Sequence, residues 1–131
     1  MWGGGCGATV VGMQDFTKLI VWQRAQALAV DMNRVTERVS ERRSAGLRSQ
    51  LRRAASSIAA NIAEGASTDG ANQFARYLQI GIASASEVES HLDLAARLQC
   101  IPPFRLAPLV AETQSLRRML IVLRRRVLER A

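Results

Sequence analysis

The chain has 131 residues, of which 48% are hydrophobic and 5% aromatic, with a net charge of +7 and a pI near 11.2. That length supports one domain with a moderate core, and that hydrophobic share excludes a disordered polyelectrolyte. All but one of the 18 basic residues are arginine, a balance that suits polyanions such as RNA or DNA and is equally the mark of a GC-rich coding composition.

Residues 1–14 contain MWGGGCGATVVGM. They lack the basic and apolar regions of a signal peptide, so they are expected to be a flexible leader, with Met13 a candidate start. No apolar run is long enough to span a bilayer, and no membrane partner is expected. Cys6 and Cys100 form no metal motif, and two thiols in a helical chain fit a reducing, cytoplasmic setting.

From residue 15 the pattern is helical throughout. Asp15 is the expected N-cap of a helix over about 15–40, with Leu19, Trp22, Ala25, Ala29, Met32 and Val39 at helical spacing. SERRSAG (40–46) breaks it. A second helix is expected over about 47–64, with Leu51, Ala55, Ile58 and Ile62 inward and Gly65 as the residue that ends it. ASTDGAN (66–72) separates it from a third over about 72–99, with Phe74, Leu78, Gly81, Ala85, Val88 and Leu92 inward. CIPP (100–103) precedes a fourth over about 104–129, where Leu109, Thr113, Leu116, Leu120, Leu123 and Val127 keep heptad-like spacing. Four helices joined by short loops predict a single all-α domain over 15–131, an antiparallel up-down-up-down four-helix bundle.

The second helix ends in SSIAANIAEG (56–65), which places a carboxylate at the negative end of the helix dipole. Gln50, Ser57, Asn61 and Glu64 share one face with Ala54, and Arg53 borders it. Exposed faces elsewhere use Arg and Glu freely; this one uses Ser, Asn and Gln. It reads either as a solvated face or as a partly buried polar network across helices or subunits, with Arg53, Arg76 or another subunit's arginine beside Glu64.

The segments DFTKLIVWQRAQALA (15–29), GLRSQLRRAASSIAANIAEG (46–65) and QFARYLQIGIASASEVESHLDLA (73–95) resemble the four-helix-bundle proteins encoded in intervening sequences of bacterial 23S rRNA genes. The resemblance spans about residues 13–130. It implies a bundle that assembles as a ring-like homopentamer. A related branch, the accessory variability determinant of diversity-generating retroelements, implies a basic pentamer that engages a reverse transcriptase and its RNA. The chain departs from the family pattern in four places. Val39-Ser40 stands for the usual Phe-Pro, Arg43 for the acid that follows, Ala59 for a Pro, and Ala83 for the Gly of a Gly-Ser pair.

No catalytic, cofactor or metal set emerges. His91 is the single histidine and lacks the paired Glu-x-x-His of a di-iron bundle. GGGCG (3–7) lacks the ending of a phosphate loop, and Ser56 and Ser57 have no neighbouring base. No enzyme activity is expected. The basic residues are the stronger signal: Arg48, Arg52 and Arg53 on the second helix, and Arg117, Arg118, Arg124, Arg125 and Arg126 on the fourth. Pairs seven apart share a face. With few aromatics for stacking, contacts to the phosphate backbone are expected rather than base readout. The alternatives are ordinary solvated arginines, and an adaptor that binds another protein through helix faces.

Overall fold

The computed structural model describes residues 15–130, so the expectations placed on the leader and Cys6 lie outside the described residues. A 3-10 turn, Phe16–Lys18, leads into α1 (Ile20–Val35), α2 (Leu47–Ala66), α3 (Ala71–Leu98) and α4 (Pro103–Glu129). The described residues contain no strand. α1 packs on α2, α2 on α3, α3 on α4 and α4 on α1. Along α2 and α3 Ser57 meets Ser84 and Gly65 meets Phe74, along α3 and α4 Arg117 meets Glu89 and Arg124 meets Ala75, and α1 meets α4 with Leu19 beside Leu123 and Val35 beside Leu109, so neighbours are antiparallel. The four-helix bundle expected from the loops is the observed fold.

One apolar core runs its length, from Leu28, Met32 and Leu47 through Ile58, Leu78 and Val88 to Leu116 and Leu120. All six inward positions expected on α3 are buried, because each lies at the 3.6-residue period of a single stripe. Buried hydroxyls are satisfied locally: Thr36 donates to the Met32 carbonyl at 2.6 Å, and Thr113 to the Leu109 carbonyl at 2.7 Å. Among the described residues no buried side-chain nitrogen or oxygen lacks a partner.

The expected first helix over about 15–40 is broken at both ends. Asp15 does cap, but it caps the 3-10 turn, accepting from the Thr17 N–H at 3.0 Å. α1 proper stops at Val35. Arg52 of α2 reaches across, donating to the Asn33 carbonyl at 3.0 Å and to Thr36 Oγ1 at 2.9 Å. A cation that takes up a last-turn carbonyl ends a helix favourably. Residues 36–46 then wind as turns. Val39 stays buried, and Ala45 and Gly46 adopt positive φ of 55° and 81°. The Glu41 carboxylate caps α2, accepting from the Ser49 N–H at 3.0 Å and from the Ser49 hydroxyl. The Ser49 hydroxyl, its N–H and the nearby Arg48 and Arg52 hold that carboxyl below its usual range.

Gly65 corrects a second expectation. It does not end α2, which continues to Ala66 with Ser67 as C-cap. A Cβ at Gly65 would lie 2.8 Å from Tyr77 Cβ and 2.9 Å from Phe74 Cδ1. The glycine is a close-approach point where α3 and the Phe74 ring cross α2, not a stop signal.

Candidate nucleic-acid interface

The arginines divide into those that hold the bundle and those left to solvent. Arg24 on α1 grips Glu112 on α4 with Nη2 and Nε at 2.7 and 2.9 Å, and Nη2 also reaches Ser115 Oγ at 3.2 Å. A fork-to-carboxylate geometry of this kind fixes orientation as well as adding charge-assisted bonds. The hydrogen bond to Glu112 raises the Arg24 pKa further above its already high value. Arg117 on α4 grips Glu89 on α3 in the same way. Arg124 donates to the Ala75 carbonyl of α3 at 3.1 Å, and Arg52 caps α1 as described.

Three of the eight arginines expected to meet nucleic acid are therefore taken up within the fold: Arg52, Arg117 and Arg124. The spacing argument holds in a different sense. Arg117 and Arg124 share the face that meets α3, while Arg118 and Arg125 share the outer face. Arg118, Arg125 and Arg126 are exposed and make no hydrogen bond or ion pair among the described residues. Arg48 is half-buried beside Glu41.

The expected residues also do not form one patch. α2 alone is about 30 Å long, and the antiparallel order puts Arg48 and Arg52 at the end of the bundle opposite Arg124, Arg125 and Arg126. Their end carries arginines that the sequence reading passed over. Arg38, Arg42 and Arg43 stand exposed on the 36–46 turns, and Arg105 stands exposed on the first turn of α4. A cleft lined by Asp31, Arg34, Val35, Arg105, Pro108 and Leu109 joins that turn to the end of α1.

The polar seam of α2 is partly assembled. Asn61 Nδ2 donates to the Ser57 carbonyl at 2.8 Å and lies 3.0 Å from Ser57 Oγ. Ser57 Oγ meets Ser84 Oγ of α3 at 2.9 Å, closing a partly buried link between helices. Ser84 was missed because nothing in the sequence states which α3 serine faces α2. Gln50, Arg53 and Glu64 stay outside the link. Arg53 and Glu64 are exposed, and none of the three makes a side-chain hydrogen bond or ion pair among the described residues. Glu64 is exposed and has no cation partner among the described residues. Glu64→Ala is accordingly expected to change stability by less than about 0.5 kcal/mol. Asn61→Ala should cost about 1 kcal/mol, the worth of an ordinary intramolecular hydrogen bond. Urea titrations of both variants check this, and an equal, large loss in both would restore a network that includes Glu64.

Among the described residues no group of three or more His, Cys, Asp or Glu could hold a metal ion. No helix of the described residues is long and apolar enough to cross a membrane. Four antiparallel helices, clasped by arginine and serine contacts and coated with unpaired arginines, define a basic all-α four-helix-bundle protein. The chain belongs to the 23S rRNA-intervening sequence protein family, whose model matches residues 17–122. Its fold is similar to the crystal structure of a Bacteroides thetaiotaomicron protein of unknown function from the S23 ribosomal protein family. The TM-score is 0.74 at 24% identity, covering 81% of this chain and 96% of that one. No curated protein matches the chain.

Proposed function

We propose that the chain is a non-enzymatic, self-associating accessory module that contacts the phosphate backbone of RNA or DNA. The partition of charge carries this reading. Glu89, Glu112, Asp93 and Asp31 are taken up by ion pairs with Arg117, Arg24, Arg97 and Arg34. Arg38, Arg42, Arg43, Arg118, Arg125 and Arg126 remain exposed and unpaired among the described residues. The surplus positive charge is therefore solvated, the form that releases condensed counterions from a polyanion.

Self-association is supported by two unlike apolar surfaces. One is an open groove of about 560 Å³ between α1 and α4, floored by Ile20, Met119, Val122 and Leu123 and rimmed by Arg118 and Arg126. The other is the outer face of α3, where Ile80, Leu94 and Leu98 are exposed at helical spacing. Two different faces suit a head-to-tail contact, and a head-to-tail contact that closes makes a ring. We read that ring as a pentamer. Each arginine surface would then recur five times, and linked weak contacts would add.

Sedimentation equilibrium at micromolar concentration tests the assembly: five times the 14.3 kDa chain is expected, and monomer alone would remove the ring. Fluorescence anisotropy with unrelated RNA and DNA oligomers tests the ligand. Affinity should fall steeply between about 50 and 200 mM salt and differ little between sequences. No binding at the lower salt would favour an adaptor that contacts protein through its helix faces.

A further inference from the structure

We infer that the end of the bundle built from residues 36–46 and the start of α4 is a binding site for single-stranded nucleic acid, with Phe104 as the platform on which a base stacks. The inference rests on the nucleic-acid reading above and names its place and its ligand.

Phe104 is 78% exposed, the highest value among the large apolar side chains of the described residues. Nothing in the core needs it, since Leu109 and Ile101 on either side already fill the bundle here. An exposed phenyl ring costs solubility unless something covers it. The end of the bundle that carries it is rich in arginine. Arg105 follows it on α4, and Arg38, Arg42 and Arg43 stand on the turns at the same end. All four are exposed and unpaired among the described residues. Asp31 faces Arg34 at 3.9 Å, while Glu37 and Glu41 have no ion-pair partner among the described residues, Glu41 accepting from Ser49. Four unpaired cations against Glu37 and Glu41 leave this end with a positive surplus. The opposite end carries Lys18, Arg76, Arg125, Arg126 and Arg130 against Glu64, Asp69 and Glu129, all exposed, a surplus of the same size, so the exposed ring of Phe104 is what sets the 36–46 end apart.

The geometry suits a single strand better than a duplex. The end of a four-helix bundle is about two helix diameters, or about 20 Å, across. That width spans a few nucleotides, and a site of that size combines phosphate contacts with one stacked base. A duplex hides its base faces and offers Phe104 nothing, while an unpaired base has a face to give. Arginines beside an aromatic ring are also the arrangement by which single-strand binders track the backbone.

The test uses the full chain and a fluorescent oligonucleotide of about 12 nucleotides, within the size range of such sites, as single strand and as duplex. Phe104→Ala should weaken single-strand binding by about tenfold, a typical value for one stacked base, and leave duplex binding unchanged. Phe104→Trp should retain or improve it. The triple variant R38Q/R42Q/R43Q should weaken both forms and make the salt dependence shallower. If Phe104→Ala binds the single strand as well as the unaltered chain does, the stacking site is wrong. If it instead changes the sedimenting mass, Phe104 belongs to a subunit contact and the site is equally wrong. If the triple variant is silent while R118Q/R125Q/R126Q loses binding, the site lies on α4 and the nucleic-acid reading survives without this inference. If the unaltered chain binds neither form at low salt, both fall.

Discussion

Phe74→Ala should destabilise the bundle by about 3–5 kcal/mol, the largest single effect expected in this chain. Phe74 is the largest fully buried side chain, at 0% exposure, and it sits where α3 crosses the end of α2. Truncation removes the transfer free energy of a phenyl ring. It also leaves a cavity that the helices cannot close, because Gly65 already lets them approach to backbone contact. A domain of this size is stable by about 5–15 kcal/mol in total. The variant should therefore unfold at a much lower urea midpoint with an unchanged slope. A midpoint within experimental error of the unaltered chain would mean that the α2–α3 crossing is not where the core is anchored.

Gly65→Ala is the second large effect, and its sign is the informative part. On helix propensity alone, alanine in a helix interior is better than glycine by about 1 kcal/mol. Here the new Cβ meets Tyr77 Cβ at 2.8 Å, an atom fixed to the backbone that cannot rotate away. Overpacking of that kind costs about 1–3 kcal/mol, so the net change should be destabilising. Gly81→Ala on α3 is the control. Its Cβ would meet only ordinary contacts, the nearest being the Ile58 carbonyl oxygen at 3.8 Å, so propensity should win and the variant should be stabilised by up to about 1 kcal/mol. Thermal melts of the pair decide the matter. If both glycines tolerate alanine equally, Gly65 is not a close-approach point.

Those two glycines mark where sequence reading stops. Periodicity located all four helices and the inward stripe of α3, because burial of a stripe is a local property written every three or four residues. The meaning of a glycine is not local. Near a helix end it signals termination as readily as close packing, and only the position of Phe74 and Tyr77 on another helix separates the two. The end of α1 was hidden for the same reason, since Arg52 of α2 makes the cap. Charge behaved likewise. Arg117 and Arg118 look alike in the chain, yet a Glu89 that lies 28 residues away fixes one to α3 and leaves the other in solvent. Within the polar seam, Ser57 and Asn61 could be read from their spacing, but Ser84 could not. Phe104 reads as an ordinary apolar residue at a helix start, and nothing local in the sequence marks it as exposed.

The account turns on this division of the arginines into structural and solvated sets, and one paired measurement tests it most directly. R117Q/R124Q removes two side chains that clasp α3, while R38Q/R42Q/R43Q removes three that face water. Melting temperature and the salt dependence of binding to a single-stranded RNA are measured for both. The solvated triple should melt like the unaltered chain and show a salt slope shallower by about 2, since each phosphate contact on a single strand contributes about 0.7. The clasp variant should melt lower and keep the original slope. A clasp variant that loses the slope while the solvated triple keeps it would contradict the account, because the charges that meet nucleic acid would then be the ones assigned to holding the bundle together.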